Sequence, residues 1–161
     1  MLADAQCIVV TAKGFPDSET IRALEILSRS RPTLKFAYIG DLDPSGLWIF
    51  LDYQRKLQVS LVFLGLLSSD LPKDWKKSSC GIPVRLNHLV VLFQLSKRDV
   101  ALLRSLQCAS AVIDQTDVTV KRELHFFREN HVKFELEYLH SLGENYLIDN
   151  WLMKKLLKEP F

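Results

Sequence analysis

Two hydrophobic periods alternate along the first half of the chain. Short apolar runs rich in β-branched and aromatic residues are bounded by turn-forming residues, which is typical of buried strands; these runs are QCIVVT, LKFAYI and LQVSLVFLG. Between them, PDSETIRALEILSRS and PSGLWIFLDYQRK repeat apolar residues with a helical period, and Asp17 or Ser18 provides an N-cap for the first helix. The order strand, helix, strand, helix, strand predicts right-handed crossovers and an α/β fold with a parallel sheet.

The second half of the chain is predominantly helical in pattern. RLNHLVVLFQL predicts one more strand, and SKRDVALLRSLQ opens with Ser96 three residues before Asp99, which resembles a capping box. Three further segments have a helical period, and Gly143 separates the last two; they are TVKRELHFFREN, VKFELEYLHSL and ENYLIDNWLMKKLLK. LPKDWKKSSCGIP gathers turn-forming and charged residues and predicts an exposed loop.

Composition narrows the class of protein without choosing a function. With 161 residues, of which 48% are hydrophobic and 25% charged, the chain is expected to form one globular domain with a substantial core. The net charge of +2 neither requires nor excludes a nucleic-acid partner. Cys7, Cys80 and Cys108 have no paired metal-ligand spacing, so we expect reduced thiols inside the cell. No apolar run reaches the roughly 18 residues of a membrane span, and we expect no membrane partner.

The stretch KFAYIGDLDPSGLWIF contains the strongest chemical signal. Asp41 and Asp43 directly follow a predicted strand, and ligand sites of parallel sheets lie at the carboxyl ends of strands. Residues two apart on extended backbone point to the same side, with alpha carbons roughly 6 to 7 Å apart. Both carboxylates can therefore reach one cation, and hard oxygen ligands of this kind suit Mg²⁺. Pro44 fits the first helical position, with Asp43 as N-cap.

A purely structural interpretation of the two aspartates stays open at this point. Aspartate is common both in turns and at helix caps, so the Asp-x-Asp spacing alone does not decide between a cap and a metal site. The preceding segment VTAKGFPD favours the site. In a parallel sheet its Lys13, Gly14 and Asp17 are expected to emerge on the same edge as Asp41 and Asp43.

Five blocks, in order, resemble a known family and cover nearly the whole chain. They are CIVVTAKGFPDSETIRAL, IGDLDPSGLWIF, FLGLLSSDL, LSKRDVALLRSL and KFELEYLHSLGENYLIDNWLMKKL. Together they resemble the Toprim half of the meiotic protein that makes the double-strand breaks initiating recombination, and of the topoisomerase VI A subunit. The eukaryotic meiotic branch is the more similar of the two.

The resemblance implies a fold, a cofactor and partners. It implies a Toprim domain over residues 1–161, a parallel sheet flanked by helices with a helical C-terminal part, in which Asp41 and Asp43 bind Mg²⁺ and the loop with Lys13, Gly14 and Asp17 lies near the metal. It also implies DNA as a partner, a nuclear location, and a homodimer or a hetero-oligomer with a topoisomerase VI B-like subunit. In this family a tyrosine attacks a phosphodiester and remains joined to the DNA 5′ end.

The sequence departs from the family in two respects. In the family, the attacking tyrosine belongs to an N-terminal winged-helix domain and the Toprim glutamate to a strand just before CIVVT. We expect both to lie outside these 161 residues, which would then be the C-terminal part of a longer protein, the product of a truncated gene model, or a shortened paralogue. The family includes DNA topoisomerases, with ATP hydrolysis in the archaeal complex, but we do not expect this chain alone to cut DNA. The four tyrosines are expected in structural roles. The cluster Lys121, Arg122, Arg128 and Lys133 is a candidate for phosphate contact or an ordinary solvated face.

Two alternative functions are weighed against this one. A non-catalytic DNA-binding or dimerising relative would have the same fold without the chemistry. A phosphatase of the haloacid dehalogenase group also begins with a strand ending in Asp-x-Asp. That group expects a small residue followed by Thr or Val after the second aspartate, whereas Pro44 and Ser45 follow Asp43 here.

Overall fold

The structure is a computed structural model, and it describes residues 7–71, 92–110, 117–137, 139 and 143–158. Five α-helices and four strands are named here in chain order. They are α1 (Ser18–Ser30), β1 (Phe36–Ile39), α2 (Pro44–Lys56), β2 (Leu61–Gly65), β3 (Phe93–Gln94), α3 (Lys97–Ser110), α4 (Val118–Asn130), β4 (Val132–Lys133) and α5 (Met153–Lys158). A short 3-10 helix spans Ser68–Asp70, and a π-helical segment, Tyr146–Leu152, leads into α5.

Strands β1 and β2 form the predicted parallel pair, and α2 is the crossover between them. Phe36 pairs with Leu61 and Tyr38 with Phe63. Along β1, partly buried side chains alternate with exposed ones, so one face of this strand packs on the core. In β2 the adjacent Phe63 and Leu64 are both buried. The mixed α/β fold expected from the alternating periods is therefore confirmed for this half of the chain.

The first predicted strand, QCIVVT, is wrong for its described residues. Residues 7–12 have no strand assignment, and Ile8, Val9 and Val10 are exposed by 65%, 86% and 43%. A β-branched run becomes a strand only when another strand satisfies its backbone groups and its apolar face is covered. Within the described residues, β1 pairs with β2 alone, so the parallel sheet has two strands rather than the three that the sequence predicts.

The segment VKFELEYLHSL also begins differently from the prediction. Helix α4 ends at Asn130. Its C-cap, His131, adopts a left-handed conformation with φ 54°, and the chain turns there into β4. β4 pairs antiparallel with β3, with Phe93 opposite Lys133. Val132 and Phe134 are buried on either side of the half-buried Lys133, so a period of two fits these residues as well as a helical one.

Two other predictions fall partly outside the described residues. The strand predicted over RLNHLVVLFQL corresponds to the two residues of β3, and the earlier part of that segment is not described. The loop predicted over LPKDWKKSSCGIP is described only at Leu71.

Helix boundaries follow the sequence signals closely. Helix α2 covers the predicted residues, with Asp43 as N-cap and Pro44 at its first position. Helix α3 has the predicted capping box, because the Asp99 carboxylate accepts from the Ser96 N–H at 2.8 Å and the Ser96 hydroxyl accepts from the Asp99 N–H at 3.1 Å. In helix α1 the N-cap is Asp17.

Helix α2 joins two hydrophobic clusters. One contains Leu42, Phe50 and Phe127, all exposed by 1% or less, together with residues of α3 and the C-terminal Trp151. The other packs Leu24 of α1 against the C-terminal end of α2. None of the described helices combines the length and apolar character needed to span a bilayer. Because α2 is fixed on both sides, its N-terminal turn holds the preceding aspartates at a defined place.

Candidate metal centre

Asp41 and Asp43 flank a buried leucine in an extended segment. Leu42 is 1% exposed, and it forms an antiparallel bridge with Phe134 through two backbone hydrogen bonds of 2.9 and 3.0 Å. Successive side chains on extended backbone point to opposite faces. The two aspartate side chains, both half-buried, therefore share the face opposite to Leu42.

A backbone N–H from a different element orients each carboxylate. Oδ1 of Asp41 accepts from the Leu136 N–H at 2.7 Å, and Oδ1 of Asp43 accepts from the Gly46 N–H at 2.5 Å in the first turn of α2. Each hydrogen bond uses one oxygen, and each carboxylate has a second oxygen that can coordinate a cation. The arrangement orients two hard oxygen ligands at the end of β1.

The electrostatics of the pair favour a bound positive charge. Burial raises the pKa of Asp41 above its ordinary value, the Leu136 N–H lowers it, and the charge of Glu137 raises it further. Burial also raises the pKa of Asp43; the Gly46 N–H opposes this effect, and the neighbouring Asp41 charge adds to it. Two carboxylates partly removed from water thus repel each other, and a cation between them would relieve that repulsion.

Lys133 and Asp99 lie beside the pair. The Lys133 ammonium is 3.4 Å from Oδ2 of Asp99, and its charge lowers the pKa of both Asp41 and Asp43. Asp99 acts in the opposite direction on Asp43. The electrostatic environment of the aspartates therefore includes residues from α3 and β4, which lie more than fifty positions away in the sequence.

Gly46 is a site residue that sequence reasoning missed. A Cβ atom on Gly46 would lie 2.5 Å from the backbone oxygen of Asp41 and 3.1 Å from Oδ1 of Asp43. Only glycine therefore allows the first turn of α2 to approach the Asp41–Asp43 segment this closely. A glycine inside the first turn of a predicted helix, where it is unfavourable, is the signal that could have revealed this.

The structure does not bring the KGFPD loop to the aspartates. Asp17 accepts from the Thr20 N–H at 2.7 Å, and the Pro16 carbonyl accepts from Lys56 Nζ at 3.0 Å. Lys56 ends α2 and Asp43 precedes it, and 13 helical residues separate them by about 20 Å. The expectation of a common sheet edge is not met because residues 7–12 do not join the sheet.

Lys13 and Gly14 both have positive φ, at 55° and 134°, and they form the turn that leads into α1. Lys13, Gly14 and Asp17 thus form a solvent-exposed turn and cap in this structure. A role for this loop beside a metal stays a prediction.

Other sequence candidates are placed as follows. The Tyr38 ring packs against Phe50 and Phe63, with centroids 5.8 and 5.5 Å away, and burial, followed by the charges of Asp43 and Asp41, raises the pKa of its hydroxyl. This tyrosine is a core aromatic, as expected. Tyr138 lies outside the described residues.

The fold separates Arg122 from Lys133, two members of the basic cluster that the sequence suggests for phosphate contact. Arg122 Nε donates at 2.9 Å to Glu123, a carboxylate exposed by only 1% that also accepts from the Ser68 N–H at 2.8 Å. Arg122 therefore supports a buried structural network that joins α4 to the 3-10 helix. Lys133 has a separate position on β4, beside the aspartates.

The donor set fits Mg²⁺ rather than a metal held wholly by protein. Among the residues that the structure describes, no group of three or more His, Cys, Asp or Glu side chains is arranged to hold a metal ion. Mg²⁺ commonly binds one or two carboxylates and completes its octahedron with water or phosphate oxygens. Asp41 and Asp43 would match this minimal set if they bind the ion.

The fold and the site define an α/β domain with an Asp-x-Asp pair at the end of a parallel strand. A family model for the Toprim domain shared by Spo11 and the topoisomerase 6 A subunit matches residues 1–156. The chain therefore belongs to this family, as its five sequence blocks indicate. This membership also rejects the haloacid dehalogenase alternative.

Curated relatives agree with the family. The chain is 26% identical over 153 residues to "Meiotic recombination protein spo-11" of Caenorhabditis elegans, covering 87% of this chain and 32% of the relative. It is 26% identical over 156 residues to "Meiotic recombination protein SPO11-2" of rice, covering 96% of this chain and 38% of the relative. A 46-residue stretch, 29% of this chain and 13% of the relative, is 50% identical to "Meiotic recombination protein rec12" of Schizosaccharomyces pombe. The chain thus spans about a third of the length of the worm and rice relatives.

Proposed function

We propose that this chain is the Mg²⁺-binding Toprim part of a protein that forms DNA double-strand breaks in meiotic recombination, acting in the nucleus. The observation that carries the proposal is the pair Asp41 and Asp43, both oriented by backbone N–H groups on one face of an extended segment. Similarity to meiotic recombination proteins of worm and rice supports the biological process. Because the chain covers about a third of those relatives, DNA cleavage by the whole protein is part of the proposal.

The chemistry assigned to this chain is electrostatic. When bound, Mg²⁺ supplies positive charge that stabilises a phosphodiester during displacement. Asp41 and Asp43 would hold the ion, while the Leu136 and Gly46 N–H groups keep their carboxylates in place. The glycine at position 46 permits the close approach on which this geometry depends.

The nucleophile is assigned to another domain. Tyr38 and Tyr53 pack in the core with their ring centroids 6.1 Å apart, and burial raises the pKa of both hydroxyls. A phenol in such surroundings is a poor source of phenolate. We therefore assign the attack to a tyrosine of a winged-helix domain, and completion of the complex to a second copy or a topoisomerase VI B-like subunit.

The test is Mg²⁺-dependent binding of a short DNA duplex, followed by fluorescence anisotropy. The wild-type chain is expected to bind more tightly as Mg²⁺ rises, because Asp41 and Asp43 would hold an ion whose positive charge attracts the DNA phosphates. Asp41→Asn with Asp43→Asn keeps the hydrogen-bond acceptors of both side chains but removes their charge, and should abolish the Mg²⁺ effect.

A second candidate, a DNA-binding or dimerising module without metal chemistry, predicts a different result. In that case the double variant and the wild type bind DNA equally well, with or without Mg²⁺. The position of Tyr38 and Tyr53 in the core is compatible with this function as well, since neither is available for attack.

A further inference from the structure

Lys133 occupies a fixed position between the aspartate pair and α3. It pairs with Phe93 across β3 and β4, and the next residue, Phe134, bridges to Leu42. In an antiparallel arrangement centred on the pair Leu42 and Phe134, residue 133 lies across from Asp43. The backbone on both sides therefore holds Lys133 beside the aspartates.

The side chain of Lys133 points to the same face as the two aspartates. Its neighbours Val132 and Phe134 are buried, at 7% and 3% exposure, on the face that also buries Leu42. Alternation along the strand then sends Lys133 to the opposite face, where its side chain is 22% exposed. This partial burial limits the screening of its charge by solvent.

The Lys133 ammonium lies beside carboxylates from two other parts of the chain. It is 3.4 Å from Oδ2 of Asp99, and the antiparallel bridge between Leu42 and Phe134 places Lys133 across from Asp43, on the face that carries both aspartates. Asp99 is itself fixed, because the same Oδ2 accepts from the Ser96 N–H at 2.8 Å in the capping box of α3. The Lys133 ammonium is thus fixed by its strand position and by the ordered Asp99 carboxylate, unlike a mobile ion pair on the surface.

We propose that Lys133 is the resident counter-cation of Asp41 and Asp43, and that its positive charge lowers the affinity of the two aspartates for a divalent metal ion. This inference rests on the proposed Mg²⁺ site and adds a device that sets its affinity. Without metal, the ammonium offsets the repulsion among the carboxylates. With metal, the same charge repels the ion and weakens its binding.

The test compares Mg²⁺ affinity by calorimetry in the wild type, Lys133→Met and Lys133→Arg, with Lys154→Met as an exposed lysine control on α5. Lys133→Met should bind Mg²⁺ more tightly, by roughly fivefold, since a positive charge held beside a divalent cation repels it and this repulsion is lost in the variant. Lys133→Arg and Lys154→Met should bind as the wild type does.

Thermal unfolding separates this role from an ordinary salt bridge. In EDTA, Lys133→Met should melt below the wild type, because three carboxylates lose their counter-charge. Added Mg²⁺ should raise its Tm more than that of the wild type. A merely structural ion pair would lower the Tm in both conditions and leave Mg²⁺ affinity unchanged. Lys133→Gln replaces Lys133→Met if the latter does not fold.

The two proposals fail in different ways. If Asp41→Asn with Asp43→Asn abolishes Mg²⁺ binding but Lys133→Met binds no more tightly than the wild type, the role of Lys133 is overturned and the metal site stands. If Mg²⁺ binding is absent from the wild type, or is equal in the wild type and the double asparagine variant, both proposals are overturned.

Discussion

Asp17 and Asp43 have the same local role and opposite electrostatic environments. Each precedes a helix as its N-cap, and each accepts a hydrogen bond from a backbone N–H three residues later. The exposed Asp17 has its pKa lowered by the hydrogen bond from the Thr20 N–H, while burial raises the pKa of Asp43 above its ordinary value. A cap by itself favours the carboxylate, so the raised pKa at Asp43 comes from tertiary packing and from Asp41.

The difference shows how a common capping motif becomes a candidate site. Around Asp17, the turn at Lys13 and Gly14 is exposed to solvent. Around Asp43, the chain is bridged to Phe134, and the first turn of α2 is buried against it. Local sequence determines the cap, and long-range packing determines whether its charge is costly enough to attract a cation.

The largest expected effect on stability comes from replacing Gly46, which lies beside Asp43; Gly14, near Asp17, provides the comparison. Gly46→Ala would place a methyl group 2.5 Å from the Asp41 carbonyl oxygen and should destabilise the protein by about 1–3 kcal/mol through overpacking. Gly14→Ala meets no atom within 4 Å, so its cost, roughly 1–3 kcal/mol, comes only from backbone strain at positive φ.

Urea unfolding measures the cost of each alanine variant, and the amide shifts of Asp41, Leu42, Asp43 and Gly46 report whether the candidate site is disturbed. Only Gly46→Ala should disturb those shifts. An unchanged spectrum for Gly46→Ala would contradict the close approach between α2 and the aspartates.

A smaller effect is expected at the contact that holds the Asp17 loop. Lys56 Nζ donates to the Pro16 carbonyl at 3.0 Å and lies 2.7 Å from Oδ2 of the largely buried Asp52. Lys56→Met should cost about 1 kcal/mol and increase hydrogen exchange in residues 13–17, while leaving the Leu136 and Gly46 amides protected. Faster exchange at Gly46 would show that the two regions are coupled.

The smallest effects distinguish the two caps by sign. At neutral pH without metal, Asp43→Asn should stabilise the protein, because it keeps the cap and removes a carboxylate that burial penalises. Asp17→Asn should destabilise it, because the charged form is favoured there. Urea titrations measure the change in free energy of unfolding in each variant. A change of the same sign in both would contradict the opposite electrostatic environments of Asp17 and Asp43.

The pH dependence of stability follows from the opposite pKa shifts of Asp43 and Asp17. The folded pKa of Asp43 is raised, so its contribution to stability is present below the unfolded pKa near 3.9 and is lost as pH rises through the folded value. The folded pKa of Asp17 is lowered, so its contribution is present above about 3.9 and is lost as pH falls. Both variants should therefore approach the wild type as pH falls to about 3.

The sequence predicts local features of this fold better than its long-range contacts. Asp43 followed by Pro44, and Ser96 three residues before Asp99, define helix starts within a few residues, and both are confirmed. β4 was missed because Val132, Phe134 and Leu136 fit a strand as well as a helix, and only pairing with β3 and Leu42 decides between them.

The candidate site was predicted only in part for the same reason. The Asp41 and Asp43 carboxylates could be placed on one face from their spacing. Their partners Leu136 and Lys133 could not, since these come from the other half of the chain. The KGFPD loop was predicted beside them on the assumption that QCIVVT forms a strand of the sheet. The described residues of that segment do not form this strand.

The most direct test of the central claim, that Asp41 and Asp43 hold a divalent ion, is a Mg²⁺ titration followed by amide NMR shifts. We predict saturable shifts at Leu136 and Gly46 in the wild type and in Asp17→Asn, and none in Asp41→Asn with Asp43→Asn. Equal binding by the double variant, or shifts concentrated in residues 13–17, would contradict the claim.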